Sequence, residues 1–143
     1  MTEDLFSLRA WKRDVHITLG LLTRLPGGRH AMVATPPEVR RAARAMPVAG
    51  LVVGAIGAAA LGTAAALGLA PALTALIGVA ATILATGAFH EDGLADTVDG
   101  FGGGRGRVHK LAIMRDGHVG VFAVLALVFS IALRAGAVAA LIA

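Results

Sequence analysis

Between Ala45 and Phe89 the chain carries no Asp, Glu, Lys or Arg, and a second charge-free stretch runs from Gly117 to Leu133. Apolar runs of about 18 residues or more read as membrane spans, because a helix rising ~1.5 Å per residue needs that length to cross a hydrocarbon layer of about 30 Å. Charged residues make up only 15% of the 143, against about 25% in a soluble domain. The expected fold class is therefore all-α: a polytopic helical membrane protein with one membrane domain over residues 1–143. Net charge is +4. In a lipid-embedded chain that basic excess belongs to the membrane surface rather than to nucleic acid, so the bilayer is the expected partner. The absence of cysteine excludes disulfides and thiolate metal sites.

About three full spans are expected. Val15–Leu25 is too short to cross, roughly 16 Å as helix, and reads as an interfacial or half-inserted segment ended by Arg24 and Pro26-Gly27-Gly28. With mixed charges ahead of it and no small-residue cleavage site behind it, it does not resemble a secretory leader. Gly27–Pro37 reads as a polar loop and Glu38–Ala45 as a basic helical turn. Pro47–Leu69 is the first span, where Gly50 and Gly54 have the spacing of a helix-packing face. Ala72–Phe89 is the second span, running straight into His90, and Val119–Ala143 is the third, interrupted by Arg134. Of the 13 Lys and Arg, eight precede Ala45, four lie between His90 and His118, and none lies in the 68–71 turn. By the positive-inside rule residues 1–45 and 90–118 share the cytoplasmic face.

The segment after the second span, HEDGLADTVDGFGGGRGR, places Asp92, Asp96 and Asp99 at i, i+4 and i+7. If the helix continues, all three share one face, where like charges repel unless a cation lies between them. Hard oxygen ligands without thiols favour Mg²⁺ or Mn²⁺. Glu91 and His90 would join only through a bend, which Gly93 permits. The glycine run from Gly100 to Gly106, with Arg105, Arg107 and Lys110, has the makings of a phosphate site, although a plain flexible loop is an equal reading. It fits neither the P-loop nor the dinucleotide fingerprint. Asp116 is a candidate fifth carboxylate or the N-cap of the third span; His109 and His118 read as interfacial side chains. Carboxylates, Mg²⁺ and basic groups together are the ingredients of phosphoryl transfer.

These residues resemble a known family. HEDGLADTVDGFGGG (90–104) followed by LAIMRDGHVG (111–120) is similar to the signature of cobalamin synthase, adenosylcobinamide-GDP ribazoletransferase. LGLLTRLP (19–26) and RAARAMPVAGLVVGA (41–55) agree, and the resemblance runs from about Val15 to the end of the chain. It implies a multi-pass enzyme of the bacterial inner membrane. That enzyme transfers cobinamide phosphate from adenosylcobinamide-GDP to α-ribazole or its 5′-phosphate, releases GMP and requires Mg²⁺. Its first motif maps onto His90, Asp92, Gly93, Asp96, Asp99 and Gly100, its second onto Arg115, Asp116 and Gly120. Where the family usually has Asp-Ser, this chain has Asp116-Gly117.

On that resemblance Asp92, Asp96 and Asp99 are the expected catalytic carboxylates, with Asp99 a candidate base, and these three with Glu91 and Asp116 are the metal candidates. Gly93, Gly102, Gly103, Arg105, Arg107, Lys110 and Arg115 are the substrate-binding candidates. The chain covers the N-terminal half to two-thirds of the family fold, and a homo-oligomer is compatible with it. The alternatives are a CDP-alcohol phosphotransferase, whose motif has Ala-Arg in place of Ala95-Asp96, a cation transporter, or a non-catalytic assembly subunit.

Overall fold

Ser7 opens the first helix, α1 (Leu8–Leu22), by accepting the Ala10 N–H on its hydroxyl at 3.2 Å. The computed structural model describes residues 7–25 and 34–143, so the Pro26-Gly27-Gly28 stop and most of the Gly27–Pro37 loop lie outside the described residues. The helix is 15 residues long and begins earlier than the apolar run suggested. Its polar first turns belong to an amphipathic helix: Arg9, Lys12, Arg13 and His16 are exposed while Asp14, Ile17 and Thr18 are buried.

The buried Asp14 anchors α1. Its carboxylate oxygens accept from Arg41 Nε at 3.2 Å and Arg44 Nε at 2.8 Å, and the residue is 0% exposed. Thr18 Oγ1 donates to the Ala42 carbonyl at 2.9 Å, and the Arg44 guanidinium lies 4.6 Å from the centre of the Trp11 ring. The arginines belong to the next element. There Thr35 and Glu38 form a capping box, with Pro36 and Pro37 in the first turn, ahead of α2 (Pro36–Ala42). A 3₁₀ turn (Ala43–Ala45) carries α2 into α3 (Met46–Ala66), and the 31 residues Pro36–Ala66 form one helix long and apolar enough to cross a membrane.

Gly68, at φ +74°, turns the chain back into α4 (Pro71–Thr86). The helices α3 and α4 form an antiparallel hairpin that meets at Gly57 and Gly78. A Cβ on Gly57 would lie 2.6 Å from Thr82 Cγ2, and one on Gly78 would lie 3.1 Å from Leu61 Cβ. Among the described residues nothing packs on the expected face at Gly50 and Gly54, since a Cβ at either position meets no atom within 4 Å. The buried apolar side chains are mostly alanines (42, 45, 49, 64, 75, 95 and 123), while Leu51, Leu67, Leu84 and Leu133 point outward. Small residues inside and large ones outside suit helices packing in lipid. Gly57→Leu is expected to force α3 from α4 at a cost of about 1–3 kcal/mol, read as a lower unfolding midpoint in detergent; Gly50→Leu should leave the midpoint unchanged.

The second span does not run on into His90. α4 ends in two left-handed residues, Gly87 (φ +63°) and Ala88 (φ +60°), and α5 (Phe89–Gly103) leaves at 89°. At 16 residues α4 is roughly 24 Å long, short of a full crossing. The expected three full spans are thus two, α3 and α7 (Val121–Ile142), plus the bent pair α4–α5 if that counts as one. Between α5 and α7 lies a short helix, α6 (Gly106–Ile113). No strand is present among the described residues.

Candidate functional site on the acidic helix

All three aspartates lie on α5, and the helix passes through Gly93 without a bend. Their environments differ. Asp92 is exposed and Asp96 half-buried, and among the described residues neither carboxylate accepts a hydrogen bond or forms an ion pair. Asp99 is buried, and its two oxygens accept the backbone N–H groups of Gly120 (2.5 Å) and Ala123 (2.9 Å) at the start of α7. Those N–H groups have no acceptor within their own helix, and the N-cap residue Gly120 has no side chain to supply one. Asp99 is therefore the cap of α7, borrowed from α5, and a negative charge there also meets the positive end of the helix dipole. The N-cap role considered for Asp116 falls to Asp99. Asp116 instead accepts the His118 N–H at 2.9 Å in a local turn.

Glu91 faces away from this row. Its Oε1 accepts from Arg134 Nη2 at 2.9 Å, while Oε2 is buried without a hydrogen-bond partner among the described residues. With Asp99 held at the start of α7 and Glu91 held at Arg134, α5 runs antiparallel along the first half of α7. Arg134 is thus tied to the acidic helix. Among the described residues no group of three or more His, Cys, Asp or Glu side chains converges as a metal cage. The two open carboxylates, Asp92 and Asp96, are one helical turn apart. Two carboxylates, with the remaining positions left to water and phosphate oxygens, is a common Mg²⁺ arrangement, so the donor set fits that ion.

The glycine run is not a loop. Gly100, Gly102 and Gly103 form the last turn of α5, where N–H groups point back along the helix rather than outward to an anion. Gly100, Gly102 and Gly104 serve close packing instead. A Cβ on Gly100 would lie 2.6 Å from Met114 Cε, one on Gly102 2.7 Å from Phe122, and one on Gly104 2.4 Å from the Gly100 carbonyl. Gly93 and Gly103 are open to within 3.7 Å. Of the basic candidates, Arg105, Arg107 and Arg115 are exposed, and Lys110 Nζ lies 4.2 Å from the Phe101 ring centre. All four belong to α6 or its flanks, beside the C-terminal end of α5.

The sequence model of the family described as cobalamin-5-phosphate synthase matches residues 14–143. The chain belongs to the cobalamin-5-phosphate synthase family. Relatives named adenosylcobinamide-GDP ribazoletransferase include one from Bradyrhizobium diazoefficiens, 49% identical over 90% of this chain and 49% of its own length. Those from Azorhizobium caulinodans and Xanthobacter autotrophicus are 47% and 49% identical over 85% and 83% of this chain. The chain spans about half the length of these curated relatives. No solved structure matches it.

Two residues, Asp14 and Arg24, hold positions in the fold that their neighbours in sequence do not announce. Asp14 receives no role from the sequence alone, although Asp14, Ile17 and Thr18 at i, i+3 and i+4 form the inward face of α1. In the sequence Arg24 reads as the end of the first apolar segment. The structure places its backbone N–H on the Ala85 carbonyl at 2.8 Å, and its side chain fills the space that a Cβ on Gly87 would occupy. Asp99→Asn is expected to lower stability by about 1–2 kcal/mol through loss of the charged cap while preserving turnover, measured as melting temperature and activity on the same preparation.

Proposed function

We propose that the protein acts in adenosylcobinamide-GDP ribazoletransfer: Mg²⁺-dependent transfer of cobinamide phosphate to α-ribazole or its 5′-phosphate, with release of GMP. The observation that carries this reading is the pair Asp92 and Asp96, two carboxylates without a partner among the described residues, on a helix set across the end of the α3–α4 hairpin. The names of the relatives and the family match support the substrates.

Asp92 and Asp96 would hold the metal, which when bound neutralises diphosphate oxygens and stabilises GMP as the leaving group. A ribazole hydroxyl oxygen forms the new ester bond to the cobinamide-side phosphorus as the bond from that phosphorus to the GMP oxygen breaks. The hydroxyl proton passes to a carboxylate. Asp92 and Asp96 have open oxygens for this; the two oxygens of buried Asp99 are already taken by the N–H groups of Gly120 and Ala123. The α6 cations Arg105, Arg107, Lys110 and Arg115 would attract the anionic substrate to the C-terminal end of α5. We place this face on the cytoplasmic side of the inner membrane, where the basic N-terminal residues also belong.

The test is direct. Membranes containing the protein, supplied with adenosylcobinamide-GDP, α-ribazole 5′-phosphate and Mg²⁺, should release GMP in step with corrinoid product. Chelation with EDTA should abolish release, and Mg²⁺ or Mn²⁺ should restore it. GMP release that is absent, or indifferent to EDTA, contradicts the proposal.

A further inference from the structure

Asp92 lies near the start of α5, whereas α6 packs on its last turn, Met114 at Gly100 and Lys110 at Gly104, roughly 12–18 Å away by helical rise. A metal-bound diphosphate at Asp92 would therefore lack a fixed cation from α6. One comes from the other side of the molecule. A cavity of about 460 Å³ at the α4–α5 elbow is lined by Thr23, Arg24, Thr86, Gly87 and Asp92, among others. Arg24 is exposed and forms no ion pair among the described residues. It is nevertheless held in place: its main chain is bonded to Ala85, and its stem packs where Gly87 has no side chain. Thr23, beside it, is locked by donating its hydroxyl to the Leu19 carbonyl at 2.6 Å. A fixed guanidinium without a carboxylate partner, sharing a cavity with an open carboxylate, is suited to a phosphate oxyanion bound through a metal on its other side.

We propose that Arg24 is a phosphate-binding residue of the site and that the elbow cavity receives the diphosphate of the nucleotide-activated substrate. The inference rests on the ribazoletransferase reading of α5 and adds a subsite from the segment that follows α1. The Gly87–Ala88 break then has a function: an uninterrupted helix would carry Asp92 onward from Arg24, whereas the elbow sets them around one cavity.

Phosphate chemistry at a membrane surface also occurs in lipid headgroups, so the experiment separates the two sources. The enzyme is compared with Arg24→Met, which keeps an apolar stem over Gly87, and Arg24→Lys, which keeps stem and charge, in vesicles of phosphatidylcholine with and without phosphatidylglycerol. The expected result is a KM for adenosylcobinamide-GDP raised at least tenfold in Arg24→Met and less in Arg24→Lys, in both lipids, with the KM for α-ribazole 5′-phosphate unchanged. Equal effects of Met and Lys, a parallel rise in both KM values, or a defect confined to phosphatidylglycerol vesicles would overturn it. Phenylglyoxal labelling of the unsubstituted protein, read at Arg24 by mass spectrometry, does not depend on how the variants fold. GDP with Mg²⁺ should slow it about tenfold, and unchanged labelling overturns the proposal. Failure of the unsubstituted protein to release GMP would instead count against the ribazoletransferase reading itself.

Discussion

Asp92→Asn and Asp96→Asn should each lower GMP release by at least about a hundredfold, the rate equivalent of losing a few kcal/mol of metal-mediated stabilisation. The carboxamide keeps the size and helix position of the side chain but loses its charge. Neither carboxylate supports the fold through a hydrogen bond or ion pair among the described residues, so both variants should melt with the parent. Asp99→Asn should behave oppositely, with turnover preserved and stability reduced. The check is one assay series with paired melting curves. Equal activity losses for all three residues would return Asp99 to the catalytic set, whereas undiminished activity in Asp92→Asn and Asp96→Asn would remove the acidic face from the chemistry.

The largest effect on stability is expected at Asp14. Removing one partner of a buried ion pair leaves uncompensated charge in a poorly hydrated place and costs about 3–5 kcal/mol. Here one fully buried carboxylate serves two guanidinium groups, Arg41 and Arg44. Asp14→Ala should therefore detach α1 from the start of the α2–α3 helix, seen as rapid amide exchange across Leu8–Leu22 together with a lowered midpoint. Since α1 delivers Arg24 to the elbow, the surviving folded fraction should also show a raised KM for the nucleotide substrate. A variant with native exchange in α1 would show that the Asp14 pairs are dispensable.

The spans α3 and α7 were legible because charge exclusion over a membrane thickness is a one-dimensional signal. The row Asp92, Asp96, Asp99 was legible from helical spacing. Three features were not legible, each because it depends on contacts distant in sequence. Gly87 lies in an Ala/Gly-rich stretch where glycine is commonplace, and the hydropathy does not change until His90, so the elbow left no mark. Asp99 has the right spacing for the metal face, yet α7 claims it. A signal existed in Gly120, an N-cap position without a capping side chain, which meant that the acceptor had to come from elsewhere. The glycines from Gly100 to Gly104 resemble an anion loop in composition, but Met114, Phe122 and Lys110 press on Gly100, Gly102 and Gly104 from other elements and leave no room for side chains there.

The central claim is that Asp92 and Asp96 hold the Mg²⁺ that accompanies the diphosphate. It is tested most directly by titrating Mg²⁺ against GMP release for the parent enzyme and for Asp92→Asn, with adenosylcobinamide-GDP saturating. The account predicts residual activity that requires at least tenfold more Mg²⁺ for half-saturation, in line with the loss of a metal ligand. An Asp92→Asn enzyme with the parent's Mg²⁺ dependence would contradict it.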